Sequence, residues 1–537
     1  MAAEAETWLD PRPVARGHGL AARPAGGMAR TLVLFDNSKM SAPYERWRPI
    51  RDGLEESLAT LGSVSIGYSD LLMEPQSAHA ARIAEWVKAG VDGVVFGLCD
   101  AGVTQPTLSH AAAAEKAGIP TVVLCTDQVV DLAGTCASFL APGLPIVCLN
   151  ASRLASPQEL REVGVGALAD IRHALEAGSE ELAAEARRAF PFADGLARKP
   201  GEGDAPRSEP FAAFARDNRM TDGLPVVTPT PGRVEAMLDA SGDRADRIIH
   251  PVLAPSGAPL TVRQAAIGAV MAGCTPARFP LVLAALDAMT DPLYKLNLAN
   301  ITTHPSANLL LFSGPAAKAA GISSGRGCMG PGHEANVTIA RAVQLALLNA
   351  SRAVPGISVL SPFGTPAQIA CCFADTDAAP FESLAMHLAG EGESIVWVHK
   401  VESPHSVADH ISSTPEHLLE TVCSVAATLG GNAAYLPSDL LVAFNPEHAE
   451  IFRRAGWTRR DVQHYLWQHA RVPRQKLLGR GVKPEWPAGW ETWDAIPVAL
   501  SPERVWLVVA GAGGPQSMVT VPWGYAHAVW RRIPRRP

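Results

Sequence analysis

GVVFGLCDAGVTQPTLSHAAAAEKAGIPTVVLCTD, Gly93 to Asp127, decides the fold. It opens with an unbroken apolar run that ends at the polar Asp100, passes through the alanine-rich segment 107–118, and returns as a second apolar run, IPTVVLC, ending at Asp127. Continuous apolar runs mark strands buried on both faces, and a strand that follows a helical segment is the pattern of a parallel βαβ unit. Working outward, TLVLFDNS (31–38), SVSIGYSD (63–70) and LPIVCLN (144–150) repeat the pattern, with helix-like segments at 45–61 and 77–90. Residues 30–197 are therefore expected to form an α/β domain, a doubly wound, Rossmann-like parallel sheet closed by helices over 157–195. Such sheets bind ligands beyond the carboxyl ends of their strands. Asp36, Asp70, Asp100 and Asp127 fall at such ends, and Asp36 and Asp100 are taken as candidate substrate-binding residues. Caps and turns also favour Asp at these places.

On either side of this domain the composition changes. Residues 1–29 are rich in Ala, Arg, Gly and Pro and read as a loose leader; 198–210, in RKPGEGDAPRSEP, lacks any apolar period and reads as a linker. The larger region 211–533 is expected to be a second domain, α+β or α/β. It contains two apolar helices around a Gly-Cys-Thr-Pro break at 273–276, a strand over Asn308 to Phe312, a buried helix from Glu334, and the strand SIVWVHKV followed by a loop holding His405, Asp409 and His410. AGAGGPQS (510–517) reads as a close turn between two strands, and Trp486, Trp490 and Trp493 as a packed arm or a subunit contact.

Composition narrows the function. With 537 residues, 47% hydrophobic and 18% charged, the chain is globular and too long for one core. A net charge of -7 gives no footprint for nucleic acid beyond the terminal Arg531, Arg532, Arg535 and Arg536. No apolar run approaches the roughly 20 residues that span a bilayer, and the amino terminus lacks the apolar core of a secretory signal. A cytoplasmic protein with a small-molecule substrate is expected, without nucleic-acid or membrane partners. Homo-oligomers are the common case. The nine cysteines contain no C-x-x-C pair, and in the cytosol they stay reduced.

The chemistry is sought in GISSGRGCMGPGHEAN, 321–336, a glycine-rich loop entering a helix. Backbone N–H groups and the positive end of a helix dipole favour an anion or a thiolate, so Cys328 is the candidate nucleophile. Arg326, Gly327, Gly330, Gly332 and Asn336 are candidate substrate-binding residues around it. His304, His405 and His410 are candidate proton carriers and Asp409 their companion, with Cys274 in a helix break as a further substrate contact. Three assignments of these residues stand together. Cys328 is a nucleophile with a histidine base; or a subset of Cys274, His304, Cys328, His405 and His410 ligates Zn or Fe, although their spacing matches no known ligand pattern; or they are caps and core residues.

Residues 93–127 also resemble the UGSC family of bacterial (seleno)proteins, named for a selenocysteine- or cysteine-Gly-Ser-Cys motif at the end of a central strand. The resemblance covers about 120 residues and implies thiol-based redox chemistry on an unknown substrate. At the motif this chain reads Asp100, Ala101, Gly102, Val103, Thr104, so both redox positions are replaced, and Cys99 is displaced from them. The second domain is similar to an uncharacterised bacterial module that accompanies UGSC domains, through DGLPVVTPT (222–230), MAGCTP (271–276), TTHP (302–305), GCMGPGHEANVTIARA (327–342), PHSVADH (404–410) and VVAGAGG (508–514). That similarity implies that Cys274, His304, Cys328, Asn336, His405 and His410 belong to the module's signature. The expectation is a two-domain enzyme performing thiol-dependent redox chemistry or reductive cleavage of a small organic substrate. The alternatives are a metal-dependent lyase or hydrolase and a non-catalytic binding protein.

Overall fold

Runs of Val, Leu, Ile and Phe form the strands β1 (Arg30–Asp36), β3 (Gly93–Cys99), β4 (Thr121–Thr126) and β5 (Ile146–Leu149), and the mixed segment GSVSIGY forms the more exposed edge strand β2 (Gly62–Tyr68). All pair in parallel, in the order β2-β1-β3-β4-β5. The computed structural model describes residues 7–15, 17–23, 30–41, 45–69, 74, 76–151, 155–193, 195–198, 209–378 and 380–534. Asp70, most of the expected linker (199–208), Arg535 and Arg536 lie outside the described residues.

Because side chains alternate along a strand, the sheet packs on two helical layers. Leu32, Leu34 and Val95 face α1 (Arg48–Leu58), α5 (Pro157–Gly166) and α6 (Leu168–Glu176). Val33, Phe35, Val94 and Phe96 face α2 (Gln76–Lys88), α3 (Thr104–Lys116) and α4 (Val130–Leu140). Helices α1 and α5 cross so closely that a Cβ at Gly53 would lie 2.3 Å from the Arg161 carbonyl oxygen, and one at Gly164 2.3 Å from that of Ile50. This is the doubly wound sheet that the sequence predicts.

The leader is a correction. Trp8 is fully buried against Phe211 and Phe214, with ring centroids 4.9 and 4.7 Å apart, and its Nε1 donates to the Glu209 carbonyl at 2.6 Å. Further along, Arg23 pairs with the buried Glu115 at 2.7 Å. A tryptophan and paired charges tie down a segment whose bulk composition suggests a tail.

Beyond residue 209 the chain builds four layers. After a small hairpin, β6 (Ile248–Leu253) with β7 (Ala258–Thr261), come β8 (Ala307–Ser313), β9 (Cys372–Ala374), β10 (Ile395–Val401), β11 (His405–Ala408), β12 (Leu440–Phe444), the pair β13 (Arg471–Pro473) and β14 (Ala495–Pro497), then β15 (Val505–Val509), β16 (Gln516–Thr520) and β17 (Val529–Arg532). One sheet runs β17-β10-β8-β9 and another β11-β16-β12-β15. Leu310, Phe312, Val396 and Val398 on the outer face of the first sheet pack on the helices Val262–Met271, Phe279–Ala288 and Glu334–Ser351. Its inner face, Leu309, Leu311, Ile395 and Trp397, meets Leu441, Ala443 and Val508 of the second sheet. The outer face of the second sheet packs on the helices Pro415–Ala426, Pro446–Ala455 and Arg459–His469. The region is an αββα sandwich, which makes it α+β.

Two local expectations change. His405–Ala408 is an edge strand and not a loop; only Val407 of its four residues turns inward, so the sequence carries no strand signal there. AGAGGPQS is not a close turn, because β12 lies between β15 and β16 and the segment crosses over it. Among the described residues, no helix is long and apolar enough to cross a membrane.

Candidate active site at the domain junction

A cavity of about 820 Å³ opens between the two domains. Gly102, Gln105 and Pro106, from the carboxyl end of β3 and the first turn of α3, form one wall. The αββα region forms the rest, with Leu296, Ile301, Trp486, Tyr525 and His527 among its residues. Lys295 and Glu485, both exposed, place one charge of each sign at its edge.

His527 gives this cavity its chemistry. Its Nδ1 lies 3.0 Å from Oδ2 of Asp439, which is fully buried at the start of β12. Asp439 also accepts from Trp506 Nε1 at 2.7 Å, the Ala528 amide at 3.1 Å and Arg504 at 3.3 Å. Burial by itself raises this carboxyl, but the bonds from His527 and Trp506 and the neighbouring Arg504 outweigh it and bring it down to about 2. An ionised carboxylate only accepts, so Nδ1 of His527 is the donor to it. His399, completely buried behind it, is pushed down to about 4 by desolvation and is neutral. The result is an imidazole base, oriented by a buried carboxylate, at the wall of a cavity.

The residues singled out by the sequence are distributed otherwise. Cys328 lies between the two sheets with Leu309, Cys371 and Phe373, 5% exposed. Burial raises its thiol, and the N–H groups of Gly511, Cys328 and Met329 pull the other way without prevailing. The glycine loop supplies the donors that the sequence suggests, but burial holds the thiol above its ordinary value. Asn336 acts as a clamp, with Nδ2 donating to the carbonyls of Cys328 at 2.9 Å and Ser323 at 3.0 Å. Gly330 donates to Gly327, itself at φ 72°, and Gly332 has φ 101°; these are turn positions. Arg326 is exposed, and its carbonyl lies 2.9 Å from His333 Nε2. Cys274 is buried, with its thiol pushed up to about 11 by desolvation.

His304 lines a separate cavity and sits 3.2 Å from Glu402. His405 and His410 are exposed on or beside the edge strand. Asp409 caps the turn that follows, accepting from Ile411, Ser412 and Thr421, bonds that overcome desolvation and bring it to about 2. No hydrogen bond among the described residues joins Cys328 to any of these histidines. Nor do Cys274, His304, Cys328, His405 and His410 converge as Zn or Fe ligands. The described group whose ligand atoms all lie within 4.8 Å of one another is instead His173, Glu181 and Glu185, on an exposed helical face. The donor set inferred from sequence therefore does not fit a metal.

In the first domain, Asp36 accepts from the Met40 amide at 3.1 Å and from Ser41, with Arg51 3.8 Å away, so it builds the turn after β1. Asp100 accepts from Trp47 Nε1 at 3.2 Å. Cys99, fully buried, is pushed up to about 12 by desolvation, so it does not replace the missing motif thiols.

The architecture is that of a doubly wound parallel-sheet domain fused to an αββα sandwich, with the cavity at the carboxyl edge of the sheet. Residues 7–192 match the UGSC family, as the motif-bearing strand and the loop at 100–104 imply, and the match ends before the sandwich. No curated protein matches the chain. Among solved structures it is similar to a C2-type ketoreductase from a modular polyketide synthase, at 18% identity over 30% of this chain and 39% of that one, with a TM-score of 0.18. It is also similar to the XylFII-LytSN complex, at 15% identity over 26% and 55%, with a TM-score of 0.15. The chain thus spans well under two thirds of either, and neither carries an argument about function.

Proposed function

We propose that the protein is an enzyme that takes a small organic molecule into the junction cavity and transforms it by proton transfer at His527, a lyase or hydrolase reaction. The observation that supports this is the Asp439–His527 pair at the wall of a cavity that is also lined by Gly102, in the loop where the UGSC motif would stand. Asp439 holds the tautomer and stabilises the imidazolium that forms when Nε2 takes a proton from water or substrate. The apolar wall excludes water from the substrate body, and Gln105 supplies an amide to orient its polar end. Nothing in the geometry favours Cys328 as the reacting group. A cytoplasmic setting and a homo-oligomeric state belong to this proposal.

The test uses p-nitrophenyl acetate as a probe ester. The wild-type chain should hydrolyse it about 100-fold faster than His527→Gln, in line with the usual worth of a positioned base. Equal rates would remove His527 from the chemistry.

A further inference from the structure

Lys400 is the penultimate residue of the apolar strand β10, directly opposite Asn308 of β8 and on the same sheet face as Val396 and Val398. It is 5% exposed, its carbonyl accepts from the Trp523 amide at 3.0 Å, and among the described residues its amine makes no hydrogen bond or ion pair. It lines a cavity of about 470 Å³ between the start of β8, the helix Glu334–Ser351 and the segment 353–369. Asn308, its cross-strand partner, is already committed: its carbonyl accepts from Tyr294 at 2.6 Å and its amide donates to Gln344 at 3.1 Å. The other charged groups lining the cavity are Asp222, clasped by Arg341 at 2.6 Å, and His304, held by Glu402. No carboxylate therefore compensates an ammonium at Lys400, and burial brings the amine down to about 7.

Three side-chain polar atoms at this cavity are buried without a partner among the described residues: Nδ1 of His304, Oγ of Ser306 and Oγ1 of Thr365. A buried amine, an imidazole in reach of a carboxylate, and unpaired hydroxyls around one hollow are the parts of a carbonyl-capturing site.

We propose that Lys400 is a nucleophile that forms an imine with a small, oxygen-bearing aldehyde or ketone bound in this second cavity. The Nζ lone pair adds to the carbonyl carbon, and the displaced C=O electron pair takes a proton relayed by His304. Loss of the resulting hydroxyl as water, carrying away the two amine hydrogens, leaves the C=N bond. Ser306 supplies a hydrogen bond to a substrate oxygen. The segment 296–304 separates the two hollows: Leu296, Leu298 and Ile301 face the junction cavity, whereas Asn300, Thr302 and His304 face this one. The site is independent of His527 and stands if the junction cavity proves inert.

The test is reductive trapping on the full chain. With limiting propanal and cyanoborohydride at about pH 7, the Lys400 peptide should gain a propyl group about tenfold faster than those of the exposed Lys318 and Lys476. His304→Gln should slow that labelling while leaving the exposed lysines unchanged. Labelling of Lys400 no faster than the exposed lysines would overturn the proposal. So would an undiminished rate in a folded His304→Gln chain, as regards the proton relay.

Discussion

Replacing Lys400 with methionine should make the protein more stable, and by an amount that depends on pH. Methionine keeps the length of the apolar stem and removes the amine that has no partner. In the folded chain the amine is brought from 10.5 to about 7 by desolvation, so the unfolded chain binds a proton more tightly. At about 1.36 kcal/mol per pH unit of difference, the cost to folding reaches about 5 kcal/mol as an upper bound. That cost is fully present below about pH 7. It falls as pH rises from the folded value towards the unfolded one, because the unfolded chain loses its proton advantage over that window. Urea unfolding of wild type and Lys400→Met, side by side at about pH 6, 8 and 10, reads the difference directly. The variant should be ahead at the lowest pH, with the gap closing by about 1.4 kcal/mol per unit above pH 7. A variant less stable at every pH, or a gap that does not move with pH, would refute the reasoning.

Asp439→Asn should cost about 2 to 4 kcal/mol at neutral pH, because the donors of His527, Trp506 and Ala528 then share an amide in place of a carboxylate. Since the folded carboxyl lies at about 2, below its usual 3.8, that deficit should be present above pH 4 and shrink as pH falls towards 2; an unchanged urea midpoint would contradict it. Limiting iodoacetamide followed by peptide mapping should label Cys148 before Cys328, because Cys148 is exposed and the hydrogen bond from Cys125 lowers its thiol, while burial raises that of Cys328; labelling of Cys328 first would restore an activated thiolate. Trp8→Ala should destabilise the αββα region by about 3 to 5 kcal/mol, the usual cost of emptying a buried aromatic site, and a neutral effect would return the first residues to the status of a leader.

The parallel sheet was legible because all its strands but the edge strand β2 are apolar runs with their own polar ends, and the intervening helices have the right length. The αββα sandwich was less so. Its strands were visible singly, but nothing in the spacing of VWLVV and QSMVT says that β12 lies between them. The site was harder still. Asp439 and His527 precede two unrelated strands and look like ordinary polar residues at element starts; only the sandwich brings them together. The glycine loop misled because it does collect N–H donors around Cys328, while the sheets that bury the sulfur are formed by distant segments. Lys400 did carry a signal. In SIVWVHKV, Val396, Val398 and Lys400 share one face by the period of two, which places a charge where the core requires an apolar group. Trp486, read as part of a packed arm, is also a wall of the junction cavity.

The most direct measurement compares turnover by wild type, His527→Gln and Cys328→Ser on one panel of small esters, amides and hydroxy acids. His527→Gln should lose about 100-fold in kcat/KM on any substrate the wild type accepts, with Cys328→Ser close to wild type. The opposite pattern, activity lost with the Cys328 thiol and kept without the His527 imidazole, would contradict the assignment of the site to the domain junction.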